Sequence, residues 1–412
     1  MSEVKTKVPQ LRFPGFSDEW EEKKLGNISK LTSSKRVYLD DYVQSGIPFY
    51  RGKEISELQK GLTPKDILYI SNESYEQYKS KYGIPQVDDI LITAVGTLGN
   101  ILRIKDRKPF YFKDGNLIWI KDIYEYSNFL EILLEVKNKE IQKTSIGSTQ
   151  RALTMVELRK LLLPFPAKQE QQKIAAFLTA VDNKIEQLIK KQELLGEYKK
   201  GLMQQIFSRA IRFKADDGSD FPNWEEKKLG DVVSTPVSDG PHLTPKFVKQ
   251  GVPFLSVNNL VESKIDFSNV RYISIDDHLV FSKKCKPKKG DVLLGKAASV
   301  GKVAFVETDV EFNIWSPIAM IRPGNSNFSK YIYYCFQTRF ILNQISKFTN
   351  SSSQGNIGMG DINKIIIKLP NKLEQTKIAN FLSSIDTKIE QVGKQLDESK
   401  QFKKALLQQM FV

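Results

Sequence analysis

The chain predicts an α+β protein: two mixed, strand-rich domains separated by two long helices that form an intramolecular antiparallel coiled coil, with approximate two-fold symmetry. Three observations lead there. The sequence repeats itself at a separation of about 204 residues, most of each repeat carries short β-type apolar runs, and each repeat closes on a seven-residue apolar rhythm.

The repeat opens with WEEKKLG at 20–26 and again at 224–230. GIPFY at 46–50 is answered by GVPFL at 251–255, and VDDILITAVGTLGNILRI at 87–104 by KKGDVLLGKAASVGKVAF at 288–305. EQQKIAAFLTAVDNKIEQ at 170–187 and EQTKIANFLSSIDTKIEQ at 374–391 share 12 of 18 positions, and LMQQIF at 202–207 returns as LLQQMF at 406–411. Repetition in this order means two copies of one unit, most alike at the ends of the unit and least alike in its middle.

Within each copy, runs such as IPFY, DILIT, NLIWI, VPFLSV and DVLLG are rich in β-branched and aromatic residues and are bounded by Gly, Asp, Asn and Lys, so they read as strands joined by turns. The stretches 128–142 and 330–346 read as helices at equivalent places. Trp20 and Trp224 read as core anchors, with the EEKK that follows each in solvent.

The texture then changes. Ile174, Leu178, Val181, Ile185 and Leu188 are spaced four, three, four and three, and Ile378, Leu382, Ile385, Ile389 and Val392 keep the same beat. That rhythm predicts a coiled-coil seam. A helix from Glu170 to Phe207 is about 57 Å long at roughly 1.5 Å per residue, which calls for a partner along its length. The matching helix of the other copy is the nearest one. The alternatives leave each helix folded on its own domain or paired with another molecule. Lys199 and Lys403 at seam positions, and Gly196 and Gly393, weaken the pattern locally. The expected divisions are 1–165, first strand-rich domain; 166–211, first helical region; 212–370, second strand-rich domain; and 371–412, second helical region.

Bulk properties narrow the function. Lys and Arg number 62 against 48 Asp and Glu, a formal charge of +14 that favours a polyanionic partner. Cys285 and Cys335 both lie in the second copy, so they do not staple the halves, and a reducing cytoplasmic setting fits. No apolar run has the length of a signal or a membrane span.

Enzymatic signatures are missing. GDVLLGKA at 290–297 imitates part of a phosphate-binding loop, but Ala297 stands where magnesium needs a hydroxyl, and Val292, Leu293 and Leu294 read as strand. Two histidines, His242 and His278, rule out histidine-rich metal sites and leave the first copy with none. No zinc-protease, Cys-pair, dinucleotide or amino-methyltransferase motif is present. The expectation is binding without a catalytic, cofactor or metal site.

Two similar basic domains on a helical ruler suit DNA, with Lys and Arg on phosphates and loop side chains in the groove. The candidate contacts in the first copy are Ser33, Ser34, Lys35, Arg36, Arg51, Lys53, Thr97, Gln150 and Arg151. Those in the second are Ser238, His242, Thr244, Lys246, Asn258, Asn259, Lys296 and Ser299. All pair short polar groups with cations able to reach base edges or phosphates.

The WEEKKLG starts, the GIPF and GVPF strands, the GTLGN and SVGKV turns at 96 and 299, GSTQR at 147–151 and the two EQxKIAxFLxxxDxKIEQ helices together resemble the specificity subunit of type I restriction-modification enzymes. The resemblance covers nearly the whole chain. It implies two target recognition domains, each reading half of a bipartite, asymmetric double-stranded DNA site, and two conserved helical regions whose antiparallel coiled coil sets the gap. It also implies docking of two modification subunits, which use S-adenosylmethionine to methylate adenine N6, and two restriction subunits, which use ATP and Mg2+. The chain itself then binds no cofactor, and the setting is the cytoplasm of a bacterium or archaeon, with no membrane. One departure is that GSTQR becomes SSSQGN at 351–356, so whatever Arg151 does is not duplicated. The competing readings are a coiled-coil adaptor with nonspecific DNA affinity and a stand-alone nucleic-acid enzyme, for which no catalytic motif is found.

Overall fold

The computed structural model describes residues 8–147, 151–324, 328–350 and 355–412. It divides into two compact units, Met1–Ile189 with Gln395–Val412, and Lys190–Lys394.

In the first unit, Lys30–Thr32, Leu117–Lys121, Ile90–Thr93 and Ile101–Arg103 form an antiparallel sheet in that order. A second sheet orders Tyr42–Val43, Leu68–Ile70, Ile47–Tyr50 and Tyr111–Phe112, its last pair parallel. ILIT at 90–93 is buried throughout because it is a central strand covered on both faces. Its two-residue period splits the core. Ile90 and Ile92 face one cluster with Phe129, Leu130 and Leu133, while Leu91 faces another with Phe112 and Trp119. Val292, Leu294 and Leu293 divide two clusters of the second unit in the same way.

The second unit repeats the plan. Ser238–Asp239, Ile318–Ile321, Val292–Gly295 and Val303–Phe305 make its antiparallel sheet, and Arg271–Ile273, Val252–Leu255 and Asn313–Ile314 a mixed one.

The helices expected at 128–142 and 330–346 are each broken. The first is Ser127–Val136 followed by Asn138–Lys143, and the second is Ser329–Phe336 followed by Arg339–Asn350. At the second break the Thr338 hydroxyl donates to the Cys335 carbonyl at 2.6 Å and accepts from Ile341 N–H at 3.4 Å, a local competition with the helical ladder.

EEKK is a strand. Glu21–Lys24 pairs antiparallel with Leu162–Phe165, and Glu225–Lys228 with Ile366–Leu369. Each pairing ties the start of a copy to the residues just before its long helix, so the two most repeated segments of the sequence are one piece of structure. Trp20 and Trp224 are buried beside them.

The long helices are Lys168–Phe207 and Lys372–Gln409. In the first unit Ile174, Ala175 and Leu178 share one core with Leu406, Met410 and Phe411, and with Phe129 of their own domain. In the second, Ile378, Ala379 and Leu382 share a core with Met203, Ile206 and Tyr331. Within each unit the segments of the two helices therefore run antiparallel, and both also pack on the strand-rich domain. All ten seam residues are buried or half-buried.

Glu170 and Glu374 anchor the helix starts. Each is fully buried, and each takes a forked guanidinium, from Arg12 at 2.7 and 2.8 Å and from Arg212 at 3.2 and 2.8 Å. The neighbouring Gln171 and Gln375 accept from Tyr126 N–H and Phe328 N–H and donate to the Pro166 and Pro370 carbonyls. The EQ at the head of each helix motif is thus the joint between helix and domain.

Candidate nucleic-acid interface

In the first unit the candidate stretches meet at the ends of the strands. The GTLGN turn is folded by Thr93, whose hydroxyl donates to the Thr97 carbonyl and accepts from Asn100 N–H at 2.9 Å. Ser56 and Thr97 hydroxyls stand 3.3 Å apart, joining this turn to the helix Gly52–Gln59. Ser34 Oγ donates to the Phe112 carbonyl at 2.6 Å, Lys35 N–H to Tyr111 Oη at 2.9 Å, and Lys113 N–H to the Tyr50 carbonyl at 2.9 Å. Leu153 N–H reaches the Ala94 carbonyl at 2.9 Å. The segment 111–117 is therefore the hub of the cluster, although nothing in its sequence singled it out.

Several candidates are already engaged here. Ser33 Oγ donates to the Leu117 carbonyl at 3.1 Å, and Arg36 pairs with Asp114 at 3.0 Å while staying exposed. The Arg51 fork closes on buried Glu54 at 3.2 and 2.5 Å and continues to the Asp66 carbonyl, so it clamps a helix start. Burial pushes the Glu54 carboxyl up, and the Arg51 guanidinium with two backbone N–H groups outweighs it, leaving the carboxyl below its ordinary range. Lys53 pairs with exposed Asp66 at 3.0 Å. Lys35 lies 5.8 Å from the Tyr82 ring centre, and Arg151 is exposed, donating to the Gln142 carbonyl at 3.2 Å. Gln150 lies outside the described residues.

The second unit builds the same cluster from different side chains. Ser316 N–H donates to the Pro241 carbonyl, Trp315 N–H to Leu255, Lys296 N–H to Pro317 and Ile357 N–H to Lys296, at 3.2, 2.8, 2.8 and 2.9 Å. Gly240 passes so near the neighbouring strand that an added Cβ would lie 1.6 Å from the Ile314 carbonyl oxygen. Thr244, Lys246 and Asn258 are exposed, and Ser299 sits in the turn after Val292–Gly295, its N–H 2.7 Å from the Ala297 carbonyl. The phosphate-loop lookalike is a central strand followed by this turn.

Asn259 differs from its neighbour Asn258. It is buried, its Oδ1 accepts from Ser256 N–H at 2.9 Å, and its Nδ2 donates to the Asp266 and Asn269 carbonyls at 3.1 and 3.0 Å. With donor and acceptor both engaged it shapes the loop, and exposed Asn258 is the residue turned to solvent.

Ser238 and Asp239 form the edge strand of the sheet. Asp239 is buried and binds Lys284 Nζ at 2.6 Å and Lys296 Nζ at 3.1 Å, with His242 Nε2 at 3.4 Å. Burial raises its carboxyl and the two ammonium groups lower it more, so it stays ionised below the ordinary range. Asp239, Lys284, Asp114 and Trp315 were not singled out from sequence. KKCKPKK at 283–289 carries five lysines in seven residues, a signal that was available. Among the described residues no group of three or more His, Cys, Asp or Glu is placed to hold a metal, and no helix is long and apolar enough to cross a membrane.

Two loop clusters of different polar lining thus sit on one repeated scaffold. The family model "Type I restriction modification DNA specificity domain" matches residues 17–195 and again 222–398. The type I restriction enzyme MjaVIII specificity subunit of Methanocaldococcus jannaschii is 23% identical over 96% of this chain and 92% of its own. A putative type I specificity subunit, S.HindORF215P of Haemophilus influenzae, is 32% identical over 37% of this chain and 38% of its own. The crystal structure of a type I restriction-modification S subunit from M. genitalium superposes with TM-score 0.63 over 98% of this chain and 99% of that one, at 14% identity, a likeness of fold. The chain belongs to the type I restriction modification DNA specificity family, and is a non-catalytic subunit that supplies DNA specificity.

Proposed function

We propose that the two copies read the two halves of a bipartite, asymmetric double-stranded DNA site, residues 1–165 one half and 212–370 the other. The helical regions 166–211 and 371–412 set the gap and dock two modification subunits and two restriction subunits. Those partners bring S-adenosylmethionine, ATP and Mg2+, and flip and methylate adenine, while this chain binds no cofactor and works in the cytoplasm of a bacterium or archaeon.

One observation carries the reading. Strand register places Ser33 where the second copy has Asp239, and Ala94 where it has Lys296, so the same scaffold positions present different chemistry. Identical faces would read a palindrome; unlike faces read unlike half-sites. Exposed Lys35, Arg36 and Arg151 serve the first half, and His242, Thr244, Lys246, Asn258, Lys296 and Ser299 the second.

Exchange of residues 216–370 for the corresponding segment of another member of the family tests this. The methylated motif keeps its first half and changes its second. A motif unchanged by the exchange overturns the reading.

A further inference from the structure

The mixed charge cluster on Asp239 has a physical consequence of its own. One buried carboxylate holds side chains from three separate segments: Lys284 follows the helix Ile275–Ser282, Lys296 follows the strand Val292–Gly295, and His242 belongs to the loop after Asp239. Lys284 also donates to the Gly240 carbonyl at 3.3 Å, which fixes its head group beside that loop. Two ammonium groups on one carboxylate leave a surplus of +1. The lysine heads keep donors to spare, since each ammonium has three. Lys284 and His242 are more than half exposed, so the surplus charge faces solvent. Among the described residues the first copy has no such cluster, because Ser33 and Ala94 occupy the places of Asp239 and Lys296.

We propose that Lys284, Lys296 and His242, aimed by Asp239, form a clamp for one backbone phosphate of the DNA in the second recognition domain. The proposal rests on that domain's reading as a DNA-binding domain. Lys284 and Lys296 contact the phosphate, and Asp239 is a positioning residue. Its effect runs opposite to its charge. Simple charge counting makes Asp239→Asn bind DNA more tightly, whereas a clamp that loses its hub binds more weakly.

The test uses the full chain assembled with its modification subunits, on duplexes of its own target in which single phosphates are replaced in turn by neutral methylphosphonates. The wild-type complex loses affinity at one phosphate of the second half-site, by roughly tenfold, as removal of a charge-assisted hydrogen bond predicts. Lys284→Gln and Lys296→Gln lower affinity for unmodified DNA, reduce the salt slope by about one, and become insensitive to that same phosphate. Asp239→Asn behaves as the lysine variants do. If the two lysine variants keep the full phosphate pattern, or Asp239→Asn binds more tightly, the clamp is wrong while the recognition reading stands. Should the wild-type complex show no preference for its target over other DNA, the recognition reading itself fails, and the clamp with it. The lysine variants leave the buried carboxylate in place, so they test the clamp even where Asp239→Asn unfolds the domain.

Discussion

Lys199 Nζ lies 2.6 Å from Asp386 Oδ1, and 204 residues away in each case the same contact recurs, with Lys403 Nζ 2.6 Å from Asp182 Oδ1. What reads as a flaw in each apolar seam is a cross-helix ion pair. Asp386 also accepts from Tyr334 Oη at 2.6 Å, so one carboxylate joins both long helices to the helix Ser329–Phe336 of the domain. The first copy has Ile132 at the place of that tyrosine, and Asp182 is the more exposed of the two carboxylates.

That asymmetry predicts unequal costs. Asp386→Ala takes from Lys199 its carboxylate and leaves the Tyr334 hydroxyl with Ser383 Oγ, 3.1 Å away, as its partner; it is expected to cost about 2 kcal/mol, while Asp182→Ala costs under about 1 kcal/mol because solvent screens its pair. Urea midpoints of the two variants, followed by helical circular dichroism, give the comparison. Equal midpoints contradict it.

The joint at the head of the second long helix makes a sharper demand. Glu374 is fully buried and holds the Arg212 fork and Trp224 Nε1, the latter at 3.1 Å. Arg212→Lys keeps the charge but loses the fork, and is expected to lower stability by about 2 kcal/mol, with Arg212→Met, which strands a buried charge, costing more. A thermal melt in which Arg212→Lys matches the wild type argues against the joint.

Asp89 predicts a pH effect of unusual sign. Its Oδ2 accepts from Trp119 Nε1 and Gln86 N–H, both at 2.8 Å, yet burial outweighs these bonds and raises the carboxyl above its ordinary value. The folded state then holds this proton more tightly than the unfolded one. Its contribution to stability accordingly falls as pH rises from the unfolded value, about 3.9, through the raised folded value. Asp89→Asn keeps the acceptor and removes the charge. It should flatten that part of the stability profile and cost little at neutral pH, which tryptophan-monitored unfolding across a pH series measures.

Burial also silences both thiols. It pushes Cys285 up to about 11 and Cys335 higher still. Neither should alkylate in the native chain at pH 8, and both should react once urea unfolds it. Rapid native labelling of Cys335, enclosed in the core with Tyr331 and Phe336, contradicts the packing.

Much of this was legible in the sequence, and the rest was not for identifiable reasons. Repetition exposed the two copies, the seven-residue beat exposed the long helices, and the recurrence of Trp20 and Trp224 in WEEKKLG placed both in a core. EEKK read as solvent-facing, and its side chains do stay largely in water, but its strand was hidden because each one pairs with residues about 140 positions later. Lys199 and Lys403 find their partners only once the helices are laid antiparallel. The Arg12–Glu170 and Arg212–Glu374 contacts span 158 and 162 residues, beyond any local pattern. Among the candidate DNA contacts, residue type alone does not separate a side chain that shapes a loop, such as Asn259, from an exposed neighbour such as Asn258.

Under the proposed function, this non-catalytic chain decides where its modification subunit methylates adenine. Co-expression with its modification subunit, followed by single-base mapping of methylated adenines, tests it most directly. One bipartite asymmetric motif is expected, and it disappears when this chain is omitted. Methylation that persists without the chain, or that falls on adenines sharing no motif, contradicts it.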